Sequence, residues 1–166
     1  MSSKPIINLF LLPIIFLNVG CKERQLKTID QNLHKSVSAC NISRIKHYVT
    51  EGADINSKDH NGNTALHLAA LNQDISIVKY LINNGANVSA RNERDYTPLH
   101  SATLNGRFEI AKLLVDKGAK VNSKNKSGET PILLAAKNLN LDLIKFLIEK
   151  GAKISRQERT PLHAAA

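Results

Sequence analysis

The chain has no tryptophan and a single methionine, Met1, and aromatic residues make up 4% of its 166 positions. Single-strand nucleic-acid binders stack bases on aromatic platforms, so that class lacks its main tool here. Two cysteines, Cys21 and Cys40, are too few for a disulfide scaffold or an all-cysteine zinc cluster. No apolar run reaches the roughly 20 residues that span a ~30 Å hydrocarbon core as a helix. There is no nucleophile elbow, no Gly-rich phosphate loop and no H-E-x-x-H zinc motif. No catalytic, cofactor or metal site is assigned, and the chain reads as non-enzymatic. Acids are the scarcer charge: 14 Asp+Glu stand against 23 Lys+Arg, a formal net charge of +9. The apolar share of 42% and charged share of 22% are those of a folded protein, and the length sets about one domain.

The chain opens with Lys4 and an apolar stretch from Ile6 to Leu17, interrupted by Asn8 and Pro13. A basic start, a short apolar region and the small Gly20 form the pattern of a secretory signal peptide. The next residue is Cys21. The stretch Leu17-Asn18-Val19-Gly20-Cys21 resembles a bacterial lipoprotein signal, in which a small residue precedes a cysteine that becomes lipidated. Asn18 departs from that family, which has an apolar residue there. The resemblance implies lipidation of Cys21, membrane attachment through that lipid and residence in a bacterial cell envelope; secretion or a host-cell cytoplasm are the alternative addresses. Residues 1–20 are then signal, and residues 21–30, with Lys22, Glu23, Arg24 and Lys27, a polar tether.

The remainder repeats. Gly52-Ala53-Asp54-Ile55 recurs as Gly85-Ala86-Asn87-Val88, Gly118-Ala119-Lys120-Val121 and Gly151-Ala152-Lys153-Ile154, at intervals of 33. Thr64-Ala65-Leu66-His67 recurs as Thr97-Pro98-Leu99-His100, Thr130-Pro131-Ile132-Leu133 and Thr160-Pro161-Leu162-His163, at intervals of 33, 33 and 30. This period and the T-P-L-H-x-A motif resemble the ankyrin-repeat family. The resemblance implies an all-α ankyrin-repeat solenoid of helix-turn-helix units joined by short β-hairpin loops. Four repeats (about 31–63, 64–96, 97–129 and 130–159) and a partial fifth (160–166) make up a domain over 31–166. The first unit is degenerate, because Lys35 and Ser36 stand where the second has Leu68 and Ala69.

Each unit carries its own punctuation. Proline is tolerated in the first helical turn, and the Thr before it is placed to cap that helix. Second helices are expected to bury Ile42, Ile45, Tyr48 and Val49 in the first unit, and Ile75, Val78, Leu81 and Ile82 in the second. The matching sets are Phe108, Ala111, Leu114 and Val115, then Leu141, Ile144, Leu147 and Ile148, at helical spacing. Gly85, Gly118 and Gly151 end these helices in a left-handed conformation. Asp95 stands where the other turns have Gly62 and Gly128, a position with positive φ that Asp tolerates better than most residues.

His34, His67 and His100 recur at 33, but equivalent side chains of stacked repeats are too far apart to share a metal whose ligands sit at ~2.0–2.1 Å; the resemblance implies a local hydrogen-bonding role. Lys46, Lys79, Lys112 and Lys145 form a ladder on the outer helices and read as a solvated face. Charges on the hairpins are mixed in sign, which argues against a nucleic-acid backbone site. The resemblance implies that hairpin tips and first-helix faces line a concave surface. On it, the partner-binding candidates are Asn61, Asn63, Leu71, Asn72, Arg94, Tyr96, Leu104, Asn105, Lys126, Glu129 and Lys137; Leu68, Ser101 and Leu134 fall on the same face. The function expected is binding of another protein by a monomer without cofactors. The alternatives are a periplasmic inhibitor or immunity-type protein masking one partner enzyme, a host-directed adaptor, or a truncated product without function.

Overall fold

Paired helices separated by projecting turns follow the 33-residue period. The computed structural model describes the backbone of residues 12–154 and the side chains of 24–154; the partial fifth unit, with His163, half of the leader's apolar stretch and the side chain of Cys21 lie outside the described residues. The elements are α1 (Leu12–Ser38), α2 (Ile42–Thr50), α3 (Ala65–Leu71), α4 (Ile75–Asn83), α5 (Pro98–Leu104), α6 (Phe108–Asp116), α7 (Pro131–Lys137) and α8 (Leu141–Glu149). The first helices α1, α3, α5 and α7 pack successively into an inner row, and α4, α6 and α8 pack as an outer row behind them. No strand occurs among the described residues, so the expected β-hairpins are tight turns instead.

Alanines make the inner row close. Ala65, Ala69, Ala70, Ala102 and Ala135 are fully buried, and their small side chains let neighbouring helices touch. Leucines seal the space between rows: Leu33, Leu66, Leu81, Leu99, Leu114, Leu143 and Leu147 have no exposure, each stabilising the fold by about 2 kcal/mol. The outer-helix stripe is rotated from the one expected. The buried sets are Ile77, Val78 and Leu81, then Ile110, Ala111 and Leu114, then Leu143, Phe146 and Leu147. Ile75, Ile82, Phe108, Val115 and Ile144 only flank the core, and Leu141 is 67% exposed. Of the residues that open the outer helices, Ile42, Ile75 and Phe108 pack at the core's edge and only Leu141 is exposed, and Ile148 near the end of α8 is 47% exposed as well.

The caps explain where the outer helices start. Asn41 and Asn140 accept the backbone N–H of Arg44 and Leu143, and Asp74 accepts that of Ser76, satisfying donors that the first turn leaves unpaired. Gly85, Gly118 and Gly151 end α4, α6 and α8 at φ 90°, 91° and 84°, as the sequence pattern requires.

The first unit departs from the others. The later first helices have 7 residues, whereas α1 has 27. Residues 21–30, expected as a tether, are helical. Lys, Glu, Arg, Gln and Leu are all good helix formers, and no proline follows Pro13 to stop them. Asp30 in this extension accepts the N–H of Asp54 at 2.8 Å, tying it to the loop after α2. No helix among the described residues is long and apolar enough to cross a membrane.

Candidate functional site: the concave face

Among the described residues three fingers project from the stack, and each is folded by one side chain. Asp59 Oδ1 accepts the N–H of Asn61 and Asn63, both at 2.8 Å. Asn92 Oδ1 accepts from Arg94 and Tyr96 at 3.0 and 2.9 Å. Asn125 Oδ1 accepts from Ser127 and Glu129, both at 2.9 Å. Such turns are a property of Asp and Asn, whose short polar arms reach their own backbone two residues on. Asp95 takes φ 58° at the second finger's tip, as expected. Gly62 has a second reason to be glycine: a Cβ there would lie 2.7 Å from the backbone nitrogen of Glu93.

The fingers join edge to edge. Glu93 N–H donates to the Asn61 carbonyl at 3.2 Å, and Lys126 N–H to that of Arg94 at 3.0 Å. Asn92 Nδ2 donates to Asn63 Oδ1 at 2.7 Å. Behind them, each histidine ties its first helix to the loop or finger that closes the same unit. His67 Nδ1 accepts the Thr64 N–H at 3.2 Å, so Nε2 carries the proton and donates to the Tyr96 carbonyl at 2.9 Å. His100 repeats this with Thr97 at 3.1 Å and Glu129 at 3.2 Å, and His34 Nε2 donates to the Ser57 carbonyl at 3.1 Å. Burial drives the pKa of His67 and His100 below the ordinary value, against the pull of those carbonyls. The histidine role is thus the local one expected, holding each first helix to the loop scaffold of its own unit. Thr130 makes no side-chain cap, and Leu133 occupies the place where His67 and His100 accept the preceding N–H.

The predicted face separates into free and committed residues. Leu71 and Leu104 are 37% and 43% exposed, and Asn61, Arg94 and Lys126 are exposed beside them. Asn63 and Asn72 spend their amides on the stack, Asn72 Nδ2 donating to the Val37 carbonyl at 3.1 Å. Asn105 Nδ2 turns back to the Ser101 carbonyl of its own helix at 3.0 Å. Ser101 and Leu134 are buried, a correction to their placement on this face, because neighbouring inner helices close over them.

Tyr96, Glu129 and Lys137 come together. Glu129 pairs with Lys137 through Oε1, takes Asn125 Nδ2 on Oε2 at 2.8 Å, and receives the Tyr96 hydroxyl at 3.4 Å. The Lys137 ammonium, then the Asn125 amide, hold the Glu129 carboxyl below the usual range. For Asp59, burial would raise the carboxyl, but the amides of Asn63 and Asn61 outweigh it and lower it. Sequence reasoning missed the finger-folding role of Asn92 and Asn125, although Asp59, Asn92 and Asn125 share the 33-residue register. It also missed Asn56 and Asn122. Each donates to a glycine carbonyl of the following loop, Gly85 or Gly151, and accepts an N–H from the same loop.

Among the described residues, no group of three or more His, Cys, Asp or Glu side chains could hold a metal ion. Cys40 is exposed with a free thiol. Two rows of helices and a row of joined fingers define a helical repeat solenoid. A family model for ankyrin repeats in three copies matches residues 33–125, and one for ankyrin repeats in many copies matches 106–148; the chain belongs to the ankyrin-repeat family. Ankyrin repeats are generally protein–protein interaction modules and typically non-enzymatic. No curated protein matches the chain significantly.

Proposed function

We propose that this chain is a non-enzymatic binding module, exported and lipid-anchored at a bacterial envelope membrane, that holds another protein on its concave face. The observation behind the binding reading is the pair Leu71 and Leu104. They occupy one register position at the tips of α3 and α5, and both stay exposed beside a core that buries most other leucines. Apolar side chains in a row at the rim of a rigid face gain when a partner covers them. The interlocked fingers and histidine bridges leave little to order on binding, which favours affinity. The address rests on Lys4, the apolar stretch after it and the Gly20-Cys21 step. Acyl chains on Cys21 would supply the attachment without a spanning helix.

One sample tests both parts. The chain is expressed in a bacterium with a photo-crosslinking residue at Leu104, or at Lys112 on the outer row, then irradiated and analysed by mass. Adducts to another protein form from Leu104 and not from Lys112, and the N-terminal peptide carries a diacyl or triacyl Cys21. Equal adducts from both positions overturn the concave reading, and an unmodified Met1 overturns the export reading.

A further inference from the structure

The long first helix creates a feature that the later units lack. Residues 24–30 are helical where the register of later units places a finger. A groove of about 1150 Å³ lies between this extension and the first finger. Small-molecule pockets run to roughly 300–1,000 Å³, so the groove is sized for a stretch of polypeptide. Lys27 and Lys35 lie eight residues apart on one face of α1, and Lys58 stands on the opposite wall. All three are exposed, and none belongs to the three ion pairs found among the described residues.

The acids of the groove are already engaged by the protein's own amides. Asp30 accepts the Asp54 N–H, while Asp59 accepts Asn61 and Asn63 through one oxygen and the Asn63 amide through the other. Three ammonium groups stand against these two carboxylates, whose oxygens are turned to the protein's own amides, so the lining keeps a cationic excess. Leu68 and Leu71 give the groove an apolar patch. Its wall also holds Ser57, whose hydroxyl is the one buried side-chain polar atom among the described residues with no hydrogen-bond partner.

We propose that this groove receives an acidic peptide segment of a protein partner, its carboxylates on Lys27, Lys35 and Lys58 and one apolar side chain against Leu68 and Leu71. The inference rests on the reading of the concave face as a binding surface and names the chemistry of what binds at its N-terminal end. Ammonium groups with no carboxylate partner among the described residues give up no ion pair there when a carboxylate arrives, and complementary charge sets orientation and rejects wrong partners.

The probe is a fluorescein-labelled peptide of Asp and Glu with a single central Leu, compared with the same peptide carrying Lys in place of the acids. Anisotropy is read with the full chain. The acidic peptide binds and the basic one does not, affinity falls as salt rises, and replacing the central Leu by Ser weakens it. The double variant Lys35→Glu/Lys58→Glu, both on exposed side chains, weakens binding by about tenfold or more, since attraction becomes repulsion. Lys112→Glu on the outer row leaves it unchanged. Lys27→Glu gives an independent second variant, and urea melts confirm that each is folded. The proposal is overturned if the acidic peptide does not bind, if the groove variants bind it as the unaltered chain does, or if Lys112→Glu weakens it equally. Binding to anionic vesicles without binding to the peptide overturns it as well. Crosslinking from Leu104 is independent of these outcomes, so a failed groove and a failed concave surface are told apart.

Discussion

The two ends of the concave face use one register for opposite purposes. Position 71 of the second unit corresponds to 104 and 137, and there the chain has Leu, Leu and Lys. Position 63 corresponds to 96 and 129, where it has Asn, Tyr and Glu. Toward the C-terminal end Glu129 answers Lys137, and Asn125 and Tyr96 join the pair, so the face neutralises itself. Toward the N-terminal end Lys27, Lys35 and Lys58 find no carboxylate among the described residues, while Asp30 and Asp59 turn to backbone amides. A repeat's register therefore says where a side chain stands; whether it is available depends on the residue in the adjoining unit. The first end is open to a ligand, and the second is closed upon itself.

Removing what the two ends share has the largest effect. His67→Ala and His100→Ala each orphan a buried threonine N–H, at about 1–3 kcal/mol, while the Tyr96 and Glu129 carbonyls keep the N–H of Asn92 and Asn125. Each variant loses about 1–3 kcal/mol of unfolding free energy in urea melts at pH 7.5, and similar losses mean the two histidine ties are alike. The same melts at pH 5 carry the sign. Both histidines have folded pKa values below the ordinary one, so the unfolded chain binds more protons once pH drops below about 6.5. Stability is fully present above that value and is lost as pH falls through the folded pKa. Each alanine variant shows a shallower loss than the unaltered chain; an unchanged slope would contradict the burial argument.

The fingers separate the ends next. Gly62 and Gly128 hold φ 72° and 78°, so either alanine variant carries the cost of a left-handed residue, about 1 kcal/mol. Only Gly62 is crowded, by the Glu93 nitrogen at 2.7 Å, whereas nothing lies within 4 Å of a Cβ at Gly128. Gly62→Ala is thus the worse of the two, by about 1–2 kcal/mol if the fingers part to relieve the overlap. Equal melting temperatures for the two variants would mean that the first two fingers are not held together by the Glu93–Asn61 bond.

Much of this was legible in the sequence. The period, the Thr-Pro starts, the glycine ends and the positive φ of Asp95 all follow from backbone chemistry that few residues supply. Asn92, Asn125, Asn56 and Asn122 were not legible, because the chain has asparagine almost everywhere and a functional one does not stand out by type. The continuity of α1 was hidden for a different reason. A signal-like segment and a degenerate first repeat were read as separate pieces, and the residues between them are helix formers with nothing to break them. The outer-helix stripe was displaced because residues such as Leu141 share the helical period with the core yet lie on the opening turn. On the concave face Leu71 and Leu104 are exposed at the ends of α3 and α5, but the burial of Ser101 and Leu134 depends on how closely inner helices approach, which no single unit encodes.

The smallest expected effect bears most directly on the contrast between the two ends. Lys137 and Glu129 meet at the surface, and exposed pairs contribute about 0.2–1 kcal/mol after solvent screening. Lys137→Met should therefore lower stability by no more than that, and Lys58→Met, whose ammonium has no carboxylate partner, by nothing measurable. Because Glu129 also holds Asn125 and Tyr96, the single variants do not isolate the pair, and the quantity to measure is the coupling in a cycle of Lys137→Met, Glu129→Gln and both together. Coupling that shrinks as salt rises identifies a screened surface pair. No coupling at all would mean that Glu129 is held by Asn125 and Tyr96 alone, and the closure of this end of the face would then rest on those two residues rather than on the ion pair.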